Sequence, residues 1–396
     1  MARPRSQVGG MKPTWIHLRS AADLSRAPPF SAFPITTEVH STGKGSLMLR
    51  QQNNTKVTIK NWTKAVEAQL TDQFQFERNA GRPVFFHGAL IRCPAGGPPV
   101  SASGKGFTSE TARLSCLAEA AEYLSFLQRP FDPLVTADAT VPGWTEPDGL
   151  NVMIAAAAVL RDQGAPASEQ ALSNGLGAHP DRKSALLHGV LELVERHAVL
   201  DWWGRQAAAP DISGDQLYRA CGLDPISALP GSVRFKDLTP DFGVPVAGAF
   251  SCNESDGRAA CGFAAGCTMQ SAIAGAWMEM LQAELSREIA NRLGRGLPAA
   301  MPVYNDHACL WPAPFLEPKA ERSFAGLADL TATLQMSGHQ LQCADITRPE
   351  IDLPVTKALC STLRTPGRLN NVNSIDRKAK KGDNGDRTPS MLPPIY

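Results

Sequence analysis

Three stretches of this chain repeat one spacing, and any fold it adopts has to place all three. "ARLSCLAEAAE", "ALLHGVLELVE" and "AIAGAWMEMLQ" each carry Ala, then Glu seven residues later, then Glu or Gln three further on. The positions are Ala112, Glu119 and Glu122; Ala185, Glu192 and Glu195; and Ala272, Glu279 and Gln282. Helical spacing of the apolar residues predicts helices over 110–128, 183–203 and 270–293. Acids at i, i+3 share one helix edge, about 5–6 Å apart at Cβ, where they repel. In "GVLELVERHAVLDWW" the pair Glu192 and Glu195, with Arg196, interrupts an apolar run bordered by Trp202 and Trp203.

Hard cations would offset that repulsion. Magnesium takes oxygen ligands and is usually held by one or two carboxylates together with substrate phosphates and waters. Four acids from two helices suffice for a pair of ions. Each helix follows a glycine-containing segment, "SGKG", "SNGLG" or "GFAAG", read as a loop. Loops that lead into helix N-termini offer N–H donors to phosphate. Arg196 is a natural phosphate partner beside Glu195. One such helix alone reads better as a solvated edge with ordinary acids; three of them favour a Mg2+–nucleotide site. The usual nucleotide loop, G-x-x-x-x-G-K-[ST], does not occur, since "TGKGS" and "SGKGF" lack the first glycine. A nucleotide would therefore be held by an unrelated fold.

Other classes find little support. The formal net charge is +1 and Lys/Arg form no long run, so nucleic acid or a charged membrane surface has no electrostatic pull here. No run of 18 apolar residues appears, and the basic start lacks the apolar core of a signal peptide. Nine scattered cysteines without a C-x-x-C pair argue against a zinc ribbon and for reduced thiols, Cys116 in "RLSCLAEA" being read as buried. The expected location is the cytoplasm, with the sequons "NNT" and "NWT" arising by chance. H-E-x-x-H and G-x-S-x-G are absent, and His188 and His197 read as satisfied helix-surface groups. Residues 84–93 are predicted as a strand, 99–106 as a loop, 152–163 and 325–336 as helical, 232–252 as short strands and "PVTKALCSTL" as a late strand. The expected organisation is a loose arm over 1–30, one domain over 31–369 and a polar, then proline-rich tail over 370–396.

"GKGFTSETARLSCLAEAAEYLS", "SNGLGAHPDRKSALLHGVLELVERHA" and "GFAAGCTMQSAIAGAWMEMLQAE" resemble the signature blocks of YcaO-domain proteins. The resemblance spans residues 80–365. It implies an α+β fold in which long helices with paired acids pack on mixed sheets and surround ATP and Mg2+. It further implies Mg2+ ligation by Glu119, Glu122, Glu192 and Glu195, Arg196 on phosphate as the catalytic group, and Asn174, His179 and Gln282 around the nucleotide. The implied chemistry is ATP-dependent activation of a peptide backbone amide. Attack by a Cys, Ser or Thr side chain of a precursor peptide gives an azoline, and attack by sulfide gives a thioamide. A partner that binds the leader peptide, or a TfuA-like one that delivers sulfur, is expected, and a homodimer is possible.

The chain departs from the family pattern in three places. Pro180 stands where many members have Asn, Glu284 where an Arg often stands, and the end "TPSMLPPIY" is proline-rich without alternating. These leave the subtype open, and with it a non-catalytic scaffold that recruits a precursor peptide. Cyclodehydration is favoured because it needs no sulfur donor. Trp202, Trp203 and Trp277 offer either an apolar wall around the reacting groups or plain core, the latter being the commoner use.

Overall fold

The computed structural model describes residues 61–79, 83–93, 99–166, 169–205, 208–221, 233–252, 259–292 and 322–365. The expected arm over 1–30 and the tail over 370–396 lie outside these residues.

Three antiparallel sheets organise the described chain. The first contains β1 (Leu70–Asn79), β2 (Pro83–Ile91) and β3 (Val100–Gly106) in that order. The second runs β5 (Asn151–Ala155), β4 (Thr140–Glu146), β10 (Leu341–Asp345), β11 (Val355–Leu359), β6 (Leu176–Ala178). The third is β7 (Val233–Asp237), β8 (Val246–Cys252) and β9 (Ala259–Ala265). The α+β class is as the sequence suggested. The ladders, expected to be mixed, pair antiparallel throughout the described strands. Most neighbours here are joined by short returns, which permit no parallel crossover.

The three acid-bearing segments are helices as predicted: α1 (Ser109–Phe126), α3 (Arg182–Arg205) and α5 (Met269–Arg292). Between them lie the single turn α2 (Ala156–Val159) and α4 (Gly214–Cys221), with α6 (Leu327–Met336) after α5. The three long helices start the same way. Thr108, Asp181 and Thr268, four residues before the repeated Ala, accept the N–H of Thr111, Ser184 and Ser271 at 3.1, 2.8 and 3.1 Å. Each side chain satisfies one orphan donor of a first turn, worth about 1 kcal/mol.

The glycine segments before these helices are strands, not loops. "SGKG" ends β3, "LGA" of "SNGLGAH" is β6 and "GFAA" ends β9, each the edge strand of its sheet. Each lies directly on the helix that comes after it. A Cβ on Gly104 would sit 2.0 Å from the Ala112 carbonyl oxygen, and one on Gly177 2.1 Å from that of Ala185. Glycine is there to let strand and helix backbones touch. Polar Ser and Lys in "PVSASGKG" hide the strand from pattern reading. The helix predicted over 152–163 is also corrected: β5 occupies its first part and a single turn comes next, because Met153 alternates outward as an edge-strand residue.

α3 is the central helix. Its C-terminal half packs against β8, β9 and α6 through Leu193, Val199, Trp202, Phe250, Phe263 and Leu334. α1 closes a second core with β2, β3 and β11, and α5 a third with β7–β9. The three tryptophans do not share one wall. Trp202 stacks near Trp203 and Phe250, at 5.7 Å from each, while Trp277 lies in the third core against Phe107. They are core.

Candidate functional site: an acid cluster where three helices meet three sheet edges

The edge strands β3 and β6 present backbone N–H groups toward the acids. Glu119 accepts from the Ser103 N–H at 3.2 Å and from its hydroxyl at 3.1 Å. Glu192 accepts from the Gly175 N–H and Glu122 from the Ala178 N–H, both at 2.8 Å. Donors that the sequence suggests for phosphate at helix N-termini therefore hold the protein's own carboxylates. The α3 N-terminus is likewise taken, by the Asp181 carboxylate, which also accepts the Ser184 hydroxyl at 2.7 Å. An anion already sits at that helix end.

The repeated spacing brings the acids of all three helices into one electrostatic cluster. Loss of water around Glu119 raises its pKa from 4.5 to about 7, with Glu192 adding to the shift and the Ser103 bonds and Lys105 opposing it. Glu122 rises to about 8, first by burial and then through Glu119 and Glu192. Glu195 also rises to about 8, by burial and through Glu279 and Glu192. Each carboxylate is costly as an anion here because its neighbours are also anions in a poorly hydrated place.

Arg196 and Lys105 bond acids of the cluster directly. The Arg196 guanidinium bonds Glu192 at 3.2 Å, one turn along α3. Burial works against its charge, but Glu192, Glu195 and Glu279 hold it more firmly protonated than usual. Lys105 on β3 pairs with Glu279 of α5 at 3.3 Å. Pattern reading treats "SGKG" as a failed phosphate loop and gives neither Lys105 nor Glu279 a role. The third copy of the spacing is the available sign. Gln282, the amide in that copy, donates to the Ser103 hydroxyl at 3.1 Å and so joins α5 to the Glu119 contact.

The weaker candidates sit around β6. The Asn174 carbonyl accepts from Lys357, and its side chain is half-buried. His179 lies just after β6, with its backbone N–H on Pro354 at 3.1 Å and its Nδ1 accepting the Asp181 N–H at 2.9 Å. Its ring meets His188 edge-on at 5.7 Å. Of the two departures in the described residues, Pro180 is exposed just after β6, and Glu284 turns away to β8, where it takes the Ser251 hydroxyl. His197 is satisfied as expected: it accepts the Arg364 N–H at 3.0 Å and stacks on Phe242. Cys116 is a buried free thiol, also as expected.

The donor set suits a hard cation, since it offers carboxylate oxygens and no soft ligand. Among the described residues no three His, Cys, Asp or Glu side chains are gathered closely enough to hold an ion alone. Carboxylates in pairs match the way Mg2+ is held, with water and phosphate oxygens completing its shell. Among the described residues no helix is long and apolar enough to cross a membrane.

Comparison with curated proteins finds no match. Among solved structures, a heterocyclase in complex with substrate and cofactor superimposes with a TM-score of 0.62 at 18% identity, over 84% of this chain. This chain spans 57% of that protein's length. YcaO from Methanopyrus kandleri, bound with AMPPCP and Mg2+, matches with a TM-score of 0.59 at 19% identity, covering 86% of this chain and 95% of the other. A chain of the E. coli microcin synthetase McbBCD complex matches with a TM-score of 0.54 at 13% identity, over 73% and 86%. At these identities the likenesses establish the fold. The model of the YcaO cyclodehydratase family, described as ATP- and Mg2+-binding, matches residues 126–364. That match begins at the end of α1, after Glu119 and Glu122, whereas α3 and α5 lie within it. The chain belongs to the YcaO family of ATP- and Mg2+-binding cyclodehydratases.

Proposed function

We propose that this protein activates backbone amides of a ribosomally made peptide with ATP and closes Cys, Ser or Thr side chains onto them as azolines. One observation carries the reading: paired acids of α1 and α3 converge with Arg196, and the pKa values of Glu119, Glu122 and Glu195 are raised, by burial first and then by neighbouring carboxylates whose charge a divalent cation would offset. In this reading Glu119, Glu122, Glu192 and Glu195 are the Mg2+ ligands, and Arg196 is the catalytic phosphate contact. Asn174, His179 and Gln282 border the nucleotide. Bound Mg2+ would supply charge neutralisation at the ATP phosphates. The chain's own residues do the rest. Backbone N–H groups of Ser103, Gly175 and Ala178 hold the carboxylates in place, so no reorganisation is needed when charge develops.

The chemistry assigned to the substrate balances in atoms and charge. The side-chain thiol or hydroxyl adds to the amide carbon and loses its proton. The resulting oxyanion takes the γ-phosphoryl group of ATP. The C–O bond then breaks, phosphate leaves, and loss of the N–H proton gives the C=N of the ring. An amide oxygen leaves poorly and a phosphate leaves well, and positioning with charge neutralisation is what a protein contributes to phosphoryl transfer. Residues 31–369 form the catalytic unit in this proposal. The substrate is a precursor peptide, presented by a partner that binds its leader.

The test is mass spectrometry of a Cys/Ser/Thr-containing precursor peptide incubated with the protein, its leader-binding partner, ATP and Mg2+. Loss of one water per ring with matching ADP and phosphate is expected. Exchange of oxygen for sulfur, seen only with sulfide and a TfuA-like partner, would replace azoline formation by thioamidation. Peptide binding with no ATP-dependent mass change would reduce the protein to a scaffold.

A further inference from the structure

β11 carries a lysine where an apolar strand residue belongs. Lys357 is 1% exposed, between buried Thr356 and Ala358 and opposite Leu176 of β6. Lysine is almost never fully buried unless its ammonium is satisfied. Here Nζ donates to the carbonyls of Leu172 and Asn174 and lies 5.0 Å from the centre of the Phe126 ring, at the end of α1. The other face of this anchor is Arg161, which also approaches Phe126, at 5.1 Å, and donates to the Ala171 carbonyl at 3.1 Å. Two cations thus grip the segment that enters β6.

The residue after that segment distinguishes Lys357 from Arg161. Gly175 is next to the Asn174 carbonyl; its N–H donates to Glu192 at 2.8 Å and its carbonyl accepts the Ala358 N–H at 2.8 Å. One peptide unit therefore links the Lys357 contact to a proposed Mg2+ ligand. Burial lowers the Lys357 pKa from 10.5 to about 7, while Glu192 and Glu122 act against that shift and favour its charge; the same ammonium favours the charged form of Glu122.

We propose that Lys357 is a positioning residue of the nucleotide site: its ammonium fixes the 172–175 segment so that the Gly175 N–H holds Glu192 in place. The inference rests on the assignment of Glu192 as a Mg2+ ligand. Groups that hold a metal ligand in place typically govern metal affinity by about 10–100-fold.

The experiment is Mg2+-dependent binding of a non-hydrolysable ATP analogue, measured by calorimetry. Lys357→Gln keeps a donor for one of the two carbonyls and removes the charge. It is expected to weaken binding about 10-fold or more, while Arg161→Gln, which loosens the same segment without touching Asn174, stays near wild type. In a Glu192→Gln background, Lys357→Gln should add less than about twofold, because both act through one ligand. Wild-type affinity in Lys357→Gln, equal losses in the two anchor variants, or losses that multiply with Glu192→Gln would each overturn the proposal. A wild-type protein with no Mg2+-dependent binding would instead overturn the site itself. Should Lys357→Gln fail to fold, hydrogen exchange of the wild type decides. Residues 172–178 should gain protection with Mg2+ and the analogue, and unchanged exchange there would refute the coupling.

Discussion

Replacing Glu122 by Gln should make the metal-free protein more stable while disabling it. Glu122 accepts the Ala178 N–H at 2.8 Å, and a Gln carbonyl oxygen takes the same bond. What the substitution removes is a carboxylate whose pKa burial, Glu119 and Glu192 raise from 4.5 to about 8. The sign comes from linkage. Between pH 4.5 and 8 the unfolded chain has released this proton and the folded one keeps it, so stability falls as pH rises through that window. At about 1.4 kcal/mol for each tenfold in acidity the ceiling above pH 8 is about 5 kcal/mol. Partial access of water and sharing of protons with Glu119 bring the expected gain to about 1–3 kcal/mol. Thermal or urea unfolding in chelator, from pH 4.5 to 8.5, reads this directly. Glu122→Gln and wild type should converge at the acid end and separate steadily above neutrality, with Mg2+ and nucleotide narrowing the gap by stabilising only the wild type. A variant less stable than wild type at pH 8.5, or a gap independent of pH, would refute the crowding argument.

Two further substitutions test the frame that positions the acids. Gly177→Ala places a methyl 2.1 Å from the Ala185 carbonyl oxygen, so β6 must lift from α3 and take the Ala178 N–H away from Glu122. A loss of several kcal/mol in urea unfolding is expected, on the scale of severe overpacking, and a neutral result would show that the strand and helix do not touch. Arg348 forms a bidentate pair with Asp132 at 2.7 and 2.9 Å and donates to the carbonyls of Ser125 and Leu127, tying down the end of α1. Both side chains are 1% exposed, so Arg348→Met strands a buried carboxylate and should cost about 3–5 kcal/mol. Chemical denaturation measures it, and a change below about 1 kcal/mol would mean water relieves Asp132.

Much of the site is legible in the sequence because its parts recur. Ala-x6-Glu on three helices, with Thr, Asp and Thr four residues before each Ala, is a local code that single-chain patterning can read. The helices lie within two residues of expectation because the spacing of their apolar residues is local as well. The edge strands escape pattern reading because their sequences obey contact with a helix rather than the period of a strand. Gly104 and Gly177 are small where the helix backbone presses on them, so they look like turns. Lys357 and Lys105 escape it for a different reason: their partners, the carbonyls of Leu172 and Asn174 and the carboxylate of Glu279, are distant in sequence. A lysine inside "PVTKALCSTL" is the one visible oddity. The tryptophans that adjoin the acids in sequence serve as core, since Trp202 and Trp277 belong to separate apolar clusters.

The acids of α1 and α3 are proposed to form one metal–nucleotide site. This is tested most directly by titrating ATP into the wild type, Glu122→Gln and Glu192→Gln in a calorimeter, each with and without Mg2+. Saturable, Mg2+-dependent binding is predicted for the wild type, with at least about a tenfold loss in both variants, which keep cooperative unfolding. Wild-type affinity in both variants, or binding indifferent to Mg2+, would contradict it.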